Sequence, residues 1–223
     1  MMPELKSLAE KNHFYGLFAS FSACPPLLGV ERQDIANREK CHEFNENMIS
    51  FIEKNPVKNV VLISRWATSG AIVPHQNDRL SKPEKELAAF TYGLDQVLDR
   101  LSRLHIKIWI VAKTPVATYD IPSMLGRAAL LDRPTSDLQI PVKNYKKFSE
   151  KFYLALDEVG QKYEINVLRP DQMLCSDQTE KCIVESDGRS LYRDHQHLSV
   201  FGSKFIEPSL QAFIDDLRKQ NEK

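Results

Sequence analysis

Apolar residues along this chain recur with two spacings, one typical of helices and one typical of buried strands. A spacing of three and four positions predicts helices whose apolar face packs on a core. The predicted helices cover residues 3–11, 38–54, 83–101, 145–163 and 206–217. Short continuous runs of apolar, β-branched and aromatic residues predict strands. The predicted strands cover residues 14–21, 59–64, 106–111 and 165–168.

Helices and strands therefore alternate through most of the chain. This alternation predicts an α/β fold, a three-layer α/β/α sandwich around a parallel sheet. Ligands of such sheets bind at the carboxyl ends of the strands. A proline-rich stretch, residues 115–141, predicts a long loop. An alternating fold normally begins with a strand, whereas the first predicted element here is a helix, so we expect the first strand to be missing.

Composition is typical of a soluble globular protein. The 223 residues are 42% hydrophobic, and 30 basic and 30 acidic side chains give a formal net charge of zero. This length and apolar content predict a single domain, residues 1–223, with its own core. The balanced charge argues against a nucleic-acid partner, because phosphate binding requires a basic excess. No apolar run approaches the roughly 18 to 20 residues that span a bilayer, and the N-terminus lacks a signal-peptide pattern.

The four cysteines fall into two local pairs. Cys24 lies near Cys41 in the sequence, and Cys175 lies near Cys182, in segments that are predicted to be loops. Neither pair has the Cys-x-x-Cys or Cys/His spacing of a structural zinc site. Disulfides Cys24–Cys41 and Cys175–Cys182 would stabilise such loops and indicate an oxidising compartment. The alternative is four buried free thiols in a cytosolic enzyme.

One polar segment, between the last predicted strand and the last predicted helix, contains the residue types of an acyl-transfer site. Asp194 and His197 lie three positions apart in it. This spacing can bring the carboxylate against imidazole Nδ1 and leave Nε2 to accept a proton from a nucleophile. An exposed polar loop that caps the next helix also explains the spacing. A metal site of Asp194, His195 and His197 is a further alternative, but two histidines do not fill a coordination shell, and we expect no metal.

The sequence of this segment resembles the last conserved block of the SGNH hydrolase superfamily. The matching residues are Leu191-Tyr192, Asp194, His197-Leu198-Ser199 and Gly202. More narrowly, the chain is similar to the SGNH domain fused behind the multi-pass membrane acyltransferase-3 domain in bacterial O-acyltransferases of surface polysaccharides. The narrower resemblance rests on Ala23-Cys24-Pro25-Pro26-Leu27-Leu28 with Cys41, on residues 60–64 followed by Arg65-Trp66, and on the loop between Cys175 and Cys182. It extends over nearly the whole chain.

The resemblance implies roles for two residues and points to a third that is missing. His197 would be the general base and Asp194 its orienting carboxylate, while His195 has no implied role. The superfamily nucleophile is the serine of a Gly-Asp-Ser motif after the first strand, and no Gly-Asp-Ser occurs in the 223 residues. We therefore expect the nucleophile to lie upstream of Met1, and the chain alone to have little or no activity. The family also implies the periplasmic face of the inner membrane for the parent protein.

Two positions depart from the family pattern. Arg65-Trp66 stands where the oxyanion-hole asparagine is expected, and the oxyanion-hole glycine has no clear counterpart. Arg65 could stabilise an oxyanion or bind a glycan carboxylate, or it could form a structural salt bridge. Trp66 could stack on a sugar face or lie in the core. His75 and Asn77, in the loop that follows, are weaker candidates for substrate contact.

The function that the resemblance implies is transfer of an acyl group, most simply acetyl, to a hydroxyl of a bacterial surface polysaccharide. The expected partners are the glycan acceptor, an acyl donor and the membrane acyltransferase domain of the parent protein. No glycine-rich phosphate-binding loop occurs, and we expect no cofactor. One alternative is a glycan O-acetylesterase that uses the same triad. Another is a catalytically inactive module that binds a glycan or docks a partner.

Overall fold

The structure is a computed structural model that describes residues 2–32, 38–66, 71–72 and 82–221. Its helices are α1 (Met2–Lys11), α2 (Arg38–Lys54), α3 (Lys82–Ser102), α4 (Ile121–Leu130), α5 (Val142–Gly160), α6 (Asp171–Leu174), α7 (Val200–Phe205) and α8 (Gln211–Asn221). Its strands are β1 (Glu31–Arg32), β2 (Asn59–Ile63), β3 (Ala71–Ile72), β4 (Lys107–Val111), β5 (Ile140–Pro141), β6 (Asn166–Leu168), β7 (Cys175–Ser176), β8 (Lys181–Cys182), β9 (Glu185–Ser186) and β10 (Arg189–Ser190). No helix in the described ranges is long and apolar enough to cross a membrane.

The chain divides into two compact units. The sheet unit comprises Phe18–Val111 and Ser149–Val167. The C-terminal unit comprises Met1–Leu17, Ala112–Phe148 and Leu168–Lys223. That residues 1–223 act as one domain stays a prediction.

The main sheet is parallel, as the alternating pattern predicts. β2 pairs in parallel with β4 over all five residues of each strand, and the strand order is β2-β4-β6. Valine and isoleucine dominate both strands, because β-branched side chains fit a pleated surface with neighbours on both faces. In β4 the side chains of Ile108, Ile110 and Val111 are buried. The predicted α/β class with a parallel sheet is confirmed.

Helix α3 supplies much of the core of the sheet unit. Its wholly buried large side chains include Phe90, Leu94, Leu98 and Leu101. They recur every three or four residues and therefore lie on one face, which packs toward β4, while α3 also contacts α2. The predicted apolar stripe of this helix is thus the one that the structure buries.

The C-terminal unit is built from shorter elements. Strands β5, β8 and β7 form an antiparallel sheet, and β9 pairs with β10. Helix α1 packs against α7, and Nε of Arg218 in α8 donates to Oδ1 of Asn12 at 2.8 Å. These contacts place the polar segment between β10 and α7 on an ordered framework.

Each unit contains one disulfide. In the sheet unit, Cys24 is bonded to Cys41 of α2. In the C-terminal unit, Cys175 is bonded to Cys182, its direct cross-strand partner in the β7–β8 pair. The two bonds use all four cysteines of the sequence. The pairing is the one predicted above, and the structure does not have the four free thiols of the alternative.

The strand predicted at residues 14–21 does not form. The segment follows α1 without regular secondary structure, and Tyr15, Leu17 and Phe18 are exposed. A strand is stable only beside a partner that satisfies its backbone groups, and no described strand pairs with this segment. Its apolar and aromatic composition is typical of a strand, but a strand forms only where a neighbouring strand is available to pair with it.

Two further elements differ from the sequence pattern. Helix α4 lies inside the predicted proline-rich loop; its N-cap is Asp120, and Pro122 occupies its first turn. A capping aspartate followed by an early proline is a helix-start signal that the loop interpretation missed. The C-terminal helix predicted at residues 206–217 is instead a 3-10 helix (Glu207–Leu210) followed by α8. Pro208 lies in the first turn of that 3-10 helix and cannot donate the hydrogen bond of a continuous helix.

Candidate active site

The candidate site lies on a loop of the C-terminal unit, residues 191–199, which we call the dyad loop. Tyr192 and Leu198 form an antiparallel bridge across it. The backbone N–H of Arg193 donates to the carbonyl of His197 at 2.9 Å. The loop therefore closes like a hairpin, and the residues between these contacts form a tight turn.

Two serines hold the base of the dyad loop. The Ser190 hydroxyl donates to the Tyr192 carbonyl at 2.7 Å and accepts the Tyr192 N–H at 3.2 Å. The Ser199 hydroxyl donates to the Ser190 carbonyl at 2.8 Å. Ser199 is also the N-cap of α7, where it accepts the N–H of Gly202 at 2.9 Å. The same hydroxyl thus joins the start of α7 to the strand before the loop.

Gly202 lets α7 approach the dyad loop closely. A methyl group at this position would lie 1.9 Å from the carbonyl oxygen of Leu191. Real carbon–oxygen contacts are far longer, so any side chain here would push the helix and the loop apart. This steric requirement explains why the segment that resembles the SGNH family has glycine at position 202.

Asp194 and His197 form a hydrogen-bonded dyad. Oδ2 of Asp194 lies 2.7 Å from Nδ1 of His197. Oδ1 of Asp194 accepts the backbone N–H groups of Gln196 at 2.8 Å and of His197 at 2.7 Å. Both carboxylate oxygens are thus fixed by the turn. A carboxylate against Nδ1 favours the tautomer with the proton on that nitrogen and leaves the lone pair on Nε2.

The electrostatics of the dyad keep the carboxylate charged. Burial raises the pKa of Asp194, but the N–H groups of His197 and Gln196 and the His197 imidazole together outweigh burial and lower the pKa to about 2. A charged carboxylate can stabilise the imidazolium that forms when Nε2 takes a proton. The His197 side chain is 54% exposed. Its Nε2 has no hydrogen-bond partner among the described residues and is open to a reacting group.

A second loop, between β4 and α4, contacts the dyad loop within the C-terminal unit. The N–H of Ala117 donates to the carbonyl of His195 at 2.9 Å. Asp120, the N-cap of α4, accepts the N–H of Ser123 at 3.0 Å, and Ser123 lowers the pKa of Asp120. The negative charge of Asp194 acts in the opposite direction and raises the pKa of Asp120 slightly. The sequence pattern does not point to this neighbouring carboxylate, because the prolines around it predict a loop at α4.

Tyr192 supports the dyad loop from the core. The ring is buried, and its hydroxyl has no hydrogen-bond partner among the described residues. Burial raises the pKa of Tyr192, and nearby Tyr119 raises it further. The phenol therefore stays neutral, and its buried ring fixes this end of the dyad loop.

Trp66 does not lie at a substrate surface, which corrects one of the two interpretations given above. The side chain is 0% exposed. Its ring stacks on Phe152 at 5.4 Å and meets the edge of Phe90 at 6.0 Å, and Nε1 donates to the Val111 carbonyl at 2.6 Å. A ring without exposed surface cannot stack on a sugar, so Trp66 is a core residue of the sheet unit.

The other predicted residues remain outside the dyad. The Arg65 side chain is exposed in the sheet unit, and within the described part of the chain it makes no ion pair. Arg65 therefore stays a candidate for contact with substrate. His195 is exposed, and its carbonyl accepts the Ala117 N–H. His75 and Asn77 lie outside the described residues.

The hydrogen bonds of Asp194 are those of the dyad. Both of its oxygens are engaged by His197 and Gln196 within the turn. Among the residues that the structure describes, no group of three or more His, Cys, Asp or Glu side chains could hold a metal ion.

A parallel α/β sheet and an Asp–His pair on a loop before a late helix are features expected of the SGNH family that the sequence resembles. Residues 1–212 match the family described as SGNH domain (fused to AT3 domains), and the chain belongs to this family. The resemblance read from the sequence is confirmed. No curated protein sequence matches the chain significantly.

Comparison with solved structures gives the same fold. The chain is similar to the periplasmic domain of a lipopolysaccharide acetyltransferase from Salmonella ser. Paratyphi A, with a TM-score of 0.65 and 13% sequence identity. The match covers 96% of this chain and 78% of that chain. At this identity the likeness concerns the fold alone.

Proposed function

We propose that this chain is the SGNH domain of an O-acyltransferase and that Asp194 and His197 are two members of its Ser-His-Asp triad. The observation that carries the proposal is the 2.7 Å contact between Oδ2 of Asp194 and Nδ1 of His197. Membership of a family of SGNH domains that are fused to AT3 domains supports it. The fixed carboxylate and the open Nε2 are what a general base requires.

In the proposed reaction, Nε2 of His197 takes the proton of a serine hydroxyl while the serine oxygen attacks the acyl carbonyl of the donor. The bond between the acyl carbon and the donor breaks, and the imidazolium gives its proton to the departing group. His197 then takes the proton of a glycan hydroxyl, whose oxygen attacks the serine ester, and returns that proton to the serine. Asp194 stabilises the imidazolium in both steps.

The serine itself is proposed to come from outside this sequence. The 223 residues contain no Gly-Asp-Ser motif. We therefore expect the chain alone to hydrolyse p-nitrophenyl acetate no faster than buffer. Hydrolysis that is lost on His197→Ala would contradict this expectation and would imply another nucleophile in the chain.

The substrate and the location are further parts of the proposal. The acceptor is a hydroxyl of a bacterial surface polysaccharide and the transferred group is acetyl. The resemblance to surface-polysaccharide acyltransferases supports this, as does the likeness to a lipopolysaccharide acetyltransferase periplasmic domain. Two disulfides fit the oxidising periplasm. In the parent protein a membrane acyltransferase domain is the fused partner, and exposed Arg65 is a candidate contact for an anionic group of the glycan.

The test uses the natural gene in its own bacterium. His197→Ala is expected to abolish O-acetyl groups on the surface polysaccharide, measured by proton NMR of the purified glycan. Asp194→Asn is expected to slow transfer on the order of 10²–10⁴-fold, because the imidazole loses its orienting charge. The matched control is His195→Ala, an exposed histidine in the same turn, which is expected to retain acetylation. Full acetylation in the His197→Ala strain would overturn the proposal.

The missing Gly-Asp-Ser motif also favours a second candidate, a glycan-binding module without catalysis. Glycan affinity that is unchanged by Asp194→Ala and His197→Ala, in a strain whose polysaccharide acetylation is also unchanged, would support it. An O-acetylesterase would use the same dyad with water as the acceptor. Product analysis with an acceptor sugar separates transfer from hydrolysis.

A further inference from the structure

The C-terminal end of α4 carries an apolar tip that is left exposed by the described residues of its unit. We call residues Arg127 and 130–133 the α4 tip. Leu130 is 85% exposed and Leu131 is 47% exposed. The helix as a whole is apolar, with one charged residue in the sequence IPSMLGRAAL, yet its buried residues are only Ile121 and Ala128. An apolar helix with so little buried surface is unusual for a face that meets only water.

The α4 tip is held in place by its own backbone. The N–H of Leu131 donates to the carbonyls of Arg127 at 3.1 Å and Ala128 at 3.2 Å. The N–H of Arg133 donates to the Ala128 carbonyl at 2.9 Å. These bonds close the last turn of the helix, so the backbone that carries the two leucines is fixed.

Two cations flank the two leucines. Arg127 and Arg133 are exposed, and neither makes an ion pair within the described part of the chain. Asp132 is the single acidic residue of the tip. Exposed leucines between free guanidinium groups are typical of a surface that meets anionic lipid, because the leucines enter the acyl region while the long basic side chains reach the phosphates.

We propose that the α4 tip docks on an anionic lipid surface. Stable protein interfaces bury about 800 Å² on each partner around several large anchors, and two leucines with two arginines are too few for that. They do suffice for a weak interfacial contact, which becomes effective when a fused membrane domain keeps the surface close. The biological reason for this docking rests on the proposed function, because an enzyme whose substrates are all dissolved would gain nothing from binding a membrane.

The other end of α4 lies at the active site. Asp120 caps its N-terminus, and the loop before it is bonded to the dyad loop through the Ala117 N–H and the His195 carbonyl. A helix of ten residues is about 15 Å long. Docking of the tip would therefore hold the dyad roughly one helix length from the headgroups, within reach of a lipid-linked donor or acceptor.

The test measures binding of the 223-residue chain to vesicles by flotation. Vesicles of phosphatidylethanolamine and phosphatidylglycerol at 3:1 are compared with pure phosphatidylcholine, at low and high salt. We expect partition onto the anionic vesicles that falls about 5-fold or more in phosphatidylcholine or in high salt. Leu130→Ser with Leu131→Ser is expected to reduce partition about 10-fold, and Arg127→Gln with Arg133→Gln about 5-fold.

Matched variants separate the tip from general stickiness and from misfolding. Leu154→Ser removes a half-exposed leucine of α5, and Leu17→Ser with Phe18→Ser removes the exposed apolar residues that follow α1. Both are expected to bind vesicles like the wild type, and all variants should keep their circular dichroism and urea midpoint. His197→Ala is also expected to bind normally, so vesicle binding is independent of whether the proposed reaction is right.

Three results would overturn the proposal. The first is equal partition onto anionic and neutral vesicles. The second is unchanged partition after the leucine substitutions in the α4 tip, or loss of partition only in the Leu17/Phe18 variant. The third is a wild-type dimer in sedimentation that dissociates when the tip is substituted, while vesicle binding does not change. That result would make the tip an interface between copies of the chain.

Discussion

At the scale of single residues, Asp194 combines a structural task and a chemical one. Its Oδ1 closes the turn by accepting two backbone N–H groups, and its Oδ2 orients the His197 ring. The same three contacts lower its pKa to about 2 against the opposing effect of burial. A residue that folds its own loop in this way aligns the dyad before any substrate arrives.

The depressed pKa makes a prediction about acid stability. Because the folded-state pKa of Asp194 is about 2 and its ordinary value is 3.8, its contribution to the free energy of unfolding is complete above about pH 4. That contribution is lost as the pH falls from about 4 to about 2. The side chain is 32% exposed, so solvent screening limits its effect to about 1 kcal/mol.

Urea unfolding of the wild type and of Asp194→Asn checks this prediction. The variant is expected to be less stable by about 1 kcal/mol at pH 7, with a smaller difference at pH 3. Asp132→Asn is the comparison, since Asp132 is an exposed aspartate outside the turn. A stability difference for Asp194→Asn that does not change with pH would contradict the electrostatic explanation.

At the scale of elements, the dyad depends on how closely α7 packs on the loop before it. Ser199 caps α7 and bonds to the Ser190 carbonyl. Gly202 leaves no room for a side chain against the Leu191 carbonyl. Helix α7 is too short to be stable alone, so this contact and its cap keep it in place.

Gly202→Ala is expected to destabilise the protein by about 2–3 kcal/mol, because helix and loop must separate to admit the methyl group. Gly126→Ala is the matched control. Gly126 lies in the interior of α4, with nothing within 4 Å of an added methyl group, and this change should stabilise by about 0.5–1 kcal/mol. Thermal and urea unfolding measure both effects. Equal stabilities of the two variants would contradict the close packing of α7 against the Leu191 carbonyl.

At the scale of the whole molecule, each compact unit contains its own disulfide. Cys24–Cys41 lies in the sheet unit and Cys175–Cys182 in the C-terminal unit. Their sequence separations are 17 and 7 residues. Since a disulfide constrains the unfolded chain more when it closes a longer loop, the two should differ in effect.

Cys24→Ser with Cys41→Ser is expected to cost about 3 kcal/mol of unfolding free energy, and Cys175→Ser with Cys182→Ser about 2 kcal/mol. Hydrogen exchange should show that each loss is concentrated in the unit that held the bond. Dithiothreitol on the wild type should reproduce both effects together. If the reductant leaves the unfolding free energy unchanged, the two disulfides do not stabilise the protein. The inference of an oxidising compartment then loses its support.

Much of the fold could be predicted because its signals are local. Strand β4 and helix α3 were predicted within one residue of their ends, since a run of Ile and Val or a stripe of Leu defines its own element. The contact between Asp194 and His197 could be predicted because their spacing suits a turn that both residues build. Helix α4 was missed although Asp120 and Pro122 mark its start, because the many prolines around it favoured a loop.

What the sequence by itself determined is the longer helices, the three strands of the parallel sheet, the two cysteine pairs and the family to which the chain belongs. These depend on neighbours in the chain, whose geometry is nearly the same in any fold. The tertiary structure alone decided that Trp66 is a core residue, that residues 14–21 have no strand partner and that the α4 tip is exposed. Each of those outcomes depends on which distant residues come into contact, and side-chain burial and strand pairing are set by such contacts.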